Sequence, residues 1–208
     1  MSAPWLEAVD LACVRGDRQL FANVSFRLSA GQWMHLQGDN GSGKTSLMRI
    51  LCGLSPAATG EVRWAGVPVG QCAETYRANM LYLGHTLSLK DDLSALENLQ
   101  FESAVSAEPL DMHHAMAGLQ ALGLQGREHL PLRVLSQGQK RRAALARLLT
   151  SRARLWLLDE PFVALDPGAV SQLVDLLGRH VEQGGMVLYT SHQTVPMGGT
   201  GHHFRLTA

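Results

Sequence analysis

Residues 38–46, Gly-Asp-Asn-Gly-Ser-Gly-Lys-Thr-Ser, have the make-up of a loop that holds a triphosphate. Gly38, Gly43, Lys44 and Thr45 carry the required spacing, and an apolar run before them and a helical pattern after them are the context such a loop needs. Its glycines, Gly41 included, let the chain curl until successive amides, helped by the helix dipole, face the phosphates. Asp39, Asn40, Ser42 and Ser46 therefore count with them as binding residues. Lys44 adds a mobile positive charge for the β and γ phosphates. Thr45 offers a hydroxyl to Mg²⁺, a hard cation that prefers oxygen. A metal site of this kind also needs a carboxylate, and "LWLLDE" supplies Asp159 and Glu160 at the end of an apolar run. Asp159 is the candidate metal ligand, directly or through water. Glu160, with Lys44, is the candidate catalytic group, polarising a water for in-line attack on the γ phosphate.

A second stretch, "LSQGQKRRAALARLL" at 135–149, places charge where a helix disfavours it. Ser136 and Gln139 have the spacing of a capping box, so Lys140, Arg141 and Arg142 fall in or beside the first turn, where the helix dipole is already positive. The expectation is a second anion site, built from the Ser136 hydroxyl, the amides near Gln137 and Gly138, and the three cations. Two such sites in one chain suggest a head-to-tail pair of copies closed by twofold symmetry, each completing the other's γ-phosphate site.

Several elements must position these groups. Short apolar runs at 33–37, 80–84, 155–159 and 186–191 read as strands, several followed by helical patterns, which predicts a mostly parallel α/β sheet. "LEAVDL", "VSFRL", "EVRW" and "VPV" predict an N-terminal antiparallel sheet around Gly and Pro turns. Residues 94–134 show helical spacing and no strand, the pattern of a helical subdomain inserted into a core of about 1–93 and 135–208. Asp166 before Pro167 reads as a helix cap, opening a helix whose apolar face is Val170, Leu173, Val174, Leu177 and Val181. Phe21 is expected in the core.

Composition excludes other classes. Eighteen Lys and Arg balance 18 Asp and Glu, so the chain has no overall cationic field of the kind nucleic-acid binding needs. No secretory leader and no run of eighteen apolar residues is expected. The three cysteines are scattered without a Cys-x-x-Cys pair, and there is no haem-attachment motif. The pairs His113–His114 and His202–His203 point apart on any regular element and read as solvated residues, so no direct haem binding is expected.

"LSQGQ", lying a helix's length before "LWLLDEP", together with the phosphate loop, "ALD" at 164–166 and "TSH" at 190–192, resembles the ATP-binding cassette (ABC) ATPases over nearly the whole chain. The resemblance implies a P-loop ATPase that binds ATP and Mg²⁺ and works as a homodimer. Each ATP would lie between one copy's phosphate loop and the other's signature, Ser136 to Gln139. It also implies a D-loop role for Asp166, and a switch role for His192, holding the γ phosphate, the attacking water and Glu160 in line. At the family's adenine-stacking position the chain has Val14, Arg15 and Gly16, so the Arg15 guanidinium is the candidate stacking group. His85 stands where most cassettes have a glutamine in the loop that touches the membrane partner. Imidazole suits Mg²⁺ less well than an amide oxygen, so His85 is expected to act through water or phosphate and to give pH sensitivity near neutrality.

That histidine, with "GHTLSLKDDLSALENLQF" and "TSHQTVP", is similar to the ATP-binding subunits of haem exporters of cytochrome c maturation. This implies two copies on the cytoplasmic face of the bacterial inner membrane, docked on integral subunits of the CcmB and CcmC type, with hydrolysis driving release of a haem-loaded chaperone. A cassette serving another cargo, or a soluble ABC ATPase, stays open at this point.

Overall fold

A computed structural model describes residues 4–106 and 109–207; residues 107–108, inside the expected helical stretch, lie outside the described residues. The described residues fall into two compact units. One is drawn from Met1–Tyr82, Ala153–Glu160 and Asp175–Ala208, the other from Leu83–Arg152 and Pro161–Val174. In chain order the elements are β1 (Trp5–Arg15), β2 (Arg18–Ser29), β3 (Gln32–Gln37), α1 (Lys44–Leu51), β4 (Thr59–Trp64), β5 (Val67–Pro68), α2 (Ala73–Ala78) and β6 (Met80–Leu83). They continue with α3 (Ala95–Ser106), α4 (Met112–Leu119), α5 (Gln137–Thr150), β7 (Leu155–Leu158), α6 (Pro167–Glu182), β8 (Met186–Thr190) and β9 (Thr200–Arg205).

The first unit holds two sheets. β2-β1-β4-β5 is antiparallel, as the N-terminal pattern predicts, and β6-β7-β8-β3-β9 carries parallel pairs at β7/β8, β8/β3 and β3/β9. β7 and β8 are buried at every position. Continuous apolar runs of this kind belong to a parallel sheet covered on both faces. Leu6, Leu28, Met34, Leu36, Leu47, Leu51 and Phe21 join one core. Phe21 is fully buried, which contributes about 2–3 kcal/mol and matches its expected core role. β9 has no counterpart in the sequence reading. It is a sheet edge with mostly exposed side chains, so it lacks the apolar alternation that marks a strand.

The second unit is helical. Ser94 and Glu97 form a reciprocal cap at the start of α3, with Ser94 N–H donating to Glu97 Oε2 at 2.7 Å and Glu97 N–H to Ser94 Oγ at 3.1 Å. Asp111 caps α4 by accepting from His114 N–H at 3.1 Å. This compact unit begins at Leu83 and takes in α5 and the segment 161–174. The reason is packing. Arg147 of α5 pairs with Glu102 of α3, and Gly118 of α4 faces Leu149 closely enough that a Cβ there would lie 3.1 Å from it. Of the predicted apolar face of α6, Leu173, Leu177 and Val181 are buried, while Val170 and Val174 are half-buried. Among the described residues no helix is long and apolar enough to cross a membrane.

Candidate functional site

In the first unit β3, β8 and β7 are parallel neighbours, so their carboxyl ends share one edge, where open α/β sheets bind ligands. β3 runs into the 38–46 loop, β7 into Asp159 and Glu160, and β8 into Ser191 and His192.

The loop is shaped by close approaches that only glycine allows. Gly38 has φ 152°, and a Cβ there would lie 2.6 Å from Ser42 Oγ and 2.8 Å from the Leu206 carbonyl oxygen; one on Gly43, φ 99°, would lie 2.9 Å from the Phe21 ring. Ser42 N–H donates to the Asp39 carbonyl at 3.1 Å and closes the turn. Gly43 is also the N-cap of α1 and offers no side-chain bond, so the first amides of the helix have no cap to satisfy them. Lys44 Nζ donates to the Gly38 and Asp39 carbonyls at 2.7 and 3.0 Å, which folds its ammonium over the loop. Ser42 Oγ is buried with no hydrogen-bond partner. An uncapped helix start, an ammonium and an orphaned hydroxyl in one turn fit phosphate oxygens. Asp39, Asn40 and Thr45 are exposed, and Ser46 is half-buried.

Asp159 is 2% exposed and Oδ1 accepts from the Thr190 hydroxyl at 2.7 Å. The same Thr190 oxygen accepts Glu160 N–H at 2.9 Å. Glu160 has φ 52°, a left-handed backbone costing a non-glycine residue of order 1 kcal/mol. The N–H bond to Thr190 ties that backbone to the end of β8. Glu160 Oε1 lies 3.5 Å from His192 Nε2, whose side chain is exposed. Asp159 also acts on Tyr82 of β6: burial first, and the Asp159 charge second, push the phenol up to about 12. Thr190 is thus a site residue that sequence reasoning passed over, although it stands inside the quoted "TSH". His35 of β3 is a buried polar residue whose only signal in the sequence is a histidine within an apolar run.

The second unit carries the remaining candidates. Ser136 caps α5 with a complete box: its Oγ accepts Gln139 N–H at 3.3 Å and Gln139 Oε1 accepts Ser136 N–H at 2.9 Å. The cations behind it already have partners within the chain. Lys140 Nζ donates to Asp91 Oδ1 at 2.7 Å, Arg142 pairs with Asp166, and buried Arg141 donates from Nε to the Pro161 carbonyl at 3.3 Å. Their counter-charges come from carboxylates and a carbonyl of the same unit, far off in sequence. Gly138 has its own reason, since a Cβ would lie 2.9 Å from the Ala164 carbonyl oxygen. Asp166 does cap α6, accepting Ala169 N–H at 3.0 Å. That hydrogen bond, with Arg142 beside it, holds its carboxyl below the usual range. His85 is exposed in the loop after β6, and Arg15 is exposed at the β1–β2 turn.

The family described as ABC transporter matches residues 21–163. A cytochrome c biogenesis ATP-binding export protein, CcmA, from Nitrosospira multiformis is 52% identical over 94% of this chain and 95% of its own length. The protein of the same name from Nitrosomonas europaea is 48% identical over 97% of this chain and 95% of its own. Among solved structures, the dimeric form of MJ0796, a bacterial ABC transporter cassette, superposes with a TM-score of 0.80 at 22% identity over 90% of this chain and 88% of that one.

Proposed function

Because this chain belongs to the ABC transporter ATP-binding family, and within it to the cytochrome c biogenesis ATP-binding export proteins, we propose that it is the ATP-hydrolysing, energy-coupling subunit of a haem exporter. Its two compact units make one ABC ATP-binding domain. The single observation that carries the hydrolytic reading is the junction of β7 and β8: Thr190 fixes both Asp159 and Glu160, and Glu160 Oε1 stands 3.5 Å from His192 Nε2.

ATP binds with its phosphates on the loop of residues 38–46, where Lys44 meets the β and γ phosphates. Thr45 and Asp159, both oxygen donors, would hold Mg²⁺, which when bound neutralises phosphate charge. Glu160 polarises the attacking water and His192 holds it and the γ phosphate in line. Ser136 to Gln139 reach the ATP of a second copy, and Asp166 stands in the D-loop of the same dimer. His85 lies in the loop that meets integral membrane subunits of the CcmB and CcmC type. The subunit sits peripherally on the cytoplasmic face of the inner membrane, and turnover releases a haem-loaded chaperone without direct haem binding by this chain. The dimeric state of MJ0796 supports the paired arrangement.

The test is Glu160→Gln in the full chain. We expect ATP retention, accumulation of an ATP-dependent dimer, and a fall in kcat of about a thousandfold. Parental turnover would overturn the assignment. Recovery of the chain in washed membranes only when membrane subunits are coexpressed tests the transporter reading.

A further inference from the structure

His35 has no part in the phosphate loop, yet its imidazole is buried in the strand that leads into that loop. It is 2% exposed on β3 and stands in register with Tyr189 of β8 and His203 of β9. Its ring stacks on Tyr189, with centroids 4.6 Å apart and planes at 9°, and meets His203 edge-on at 5.3 Å. The neighbouring β3 residues Trp33, Met34 and Leu36 are all buried and apolar. A ring nitrogen among them costs desolvation unless it is hydrogen-bonded.

Both nitrogens are bonded. Nε2 lies 3.1 Å from the Ser191 carbonyl oxygen, which only accepts, so Nε2 carries the hydrogen and donates it. Nδ1 is then the acceptor, and the Gln37 amide donates to it at 3.3 Å while also lying 3.3 Å from His203 Nδ1. The groups acting on the ring are Ser191 from the β8 end, His203 from β9 and Glu160 from the β7 end. Burial is the largest influence and lowers the imidazole pKa, which keeps the ring neutral near pH 7.

Ser191 is the residue between Thr190, which grips Asp159 and Glu160, and His192, which faces Glu160. We propose that His35 is a positioning residue for ATP hydrolysis: its Nε2–H holds the Ser191 carbonyl and so sets where the chain presents His192 to Glu160. With Thr190 held by its side chain and Ser191 by its carbonyl, the segment is fixed at two consecutive residues and His192 is left as the projecting group. This rests on the hydrolytic reading of His192 and Glu160 above.

The experiment is steady-state ATPase kinetics on the full chain assembled with its membrane subunits. His35→Phe keeps a ring to stack on Tyr189 and loses the donor; His35→Gln returns an N–H near the Nε2 position; the shorter His35→Asn does not reach. The Phe and Asn variants should lower kcat about tenfold with KM for ATP changed less than about twofold, and Gln should restore most of kcat. In a His192→Ala background His35→Phe should add almost nothing, because the positioned group is gone. Two results overturn the proposal: a parental kcat in both the Phe and Asn variants, or no recovery with Gln while ADP affinity stays parental. Equal losses of kcat and nucleotide affinity across all three variants overturn it as well, since they mark simple unfolding of the loop. A parental kcat in His192→Ala alone overturns the underlying hydrolytic reading, and this proposal with it, so the two failures are told apart.

Discussion

Helices α1 and α5 both begin in a small-residue turn beside cations, and they solve the same electrostatic problem in opposite ways. At α1 the cap is Gly43, which has no side chain to give, and Lys44 leans back over its own loop carbonyls. At α5 the cap is complete, and each cation behind it has a partner within the helical unit. The first helix start therefore leaves its amides without a side-chain cap, whereas the second has a complete capping box and paired cations. In the proposed dimer the self-capped helix would meet a second copy's nucleotide with its cations already paired.

Substitutions on the two starts test that contrast most strongly. Lys44→Ala should weaken ATP binding by about a hundredfold in the isolated chain, the loss of a charge-assisted hydrogen bond. Equilibrium binding of a fluorescent ATP analogue reads it, and unchanged affinity would erase the difference between the helices. Ser136→Ala should leave that affinity alone. Its cost is about 1 kcal/mol of helix stability, seen in thermal unfolding, together with loss of the ATP-dependent dimer in a Glu160→Gln background, seen by light scattering.

Acid separates the two units next. Burial lowers the pKa of both His35 and His180, the latter stacked on Trp156 at 3.6 Å. Their unfolded forms take up a proton first as pH falls below about 6.5, so the sheet unit loses stability from that point downward. In the helical unit hydrogen bonds hold Asp111 and Asp166 below the usual carboxylate range, so their contribution persists above about pH 4 and is lost only as pH drops through the folded values. Hydrogen exchange at pH 7.5 and 5.5, corrected for intrinsic rates, should show weaker protection in β3 and β8 and little change in α5. Equal loss in both units would break the comparison.

Smallest is the ion pair itself. A double-mutant cycle on Lys140 and Asp91 should give about 0.5 kcal/mol, since the Asp91 end is largely exposed. A coupling near zero, with nucleotide-dependent dimerisation falling on Lys140→Ala, would return that cation to the anion-binding role the sequence suggested.

What sequence reading captured and missed follows from the range of the forces involved. The 38–46 loop, the Ser136 cap and the apolar strands depend on neighbours a few residues away, and spacing alone reveals them. The partners of Lys140 and Arg142 lie 49 and 24 residues off. No local pattern distinguishes a cation waiting for phosphate from one already paired. β9 escaped for a related reason: its pairing with β3 is set by the backbone, not by an apolar side-chain rhythm. His35 looked like one polar residue in a strand until its register with Tyr189 and the Ser191 carbonyl was visible.

The Leu206 carbonyl lies where a side chain on Gly38 would go, and Leu206 N–H donates to the Gln37 carbonyl at 2.8 Å. The turn that opens the 38–46 loop is consequently backed by a carbonyl more than 160 residues further along the chain. A substitution that displaces the Leu206 backbone would therefore act on the Gly38 turn while leaving residues 38–46, 135–139 and 159–160 themselves unchanged.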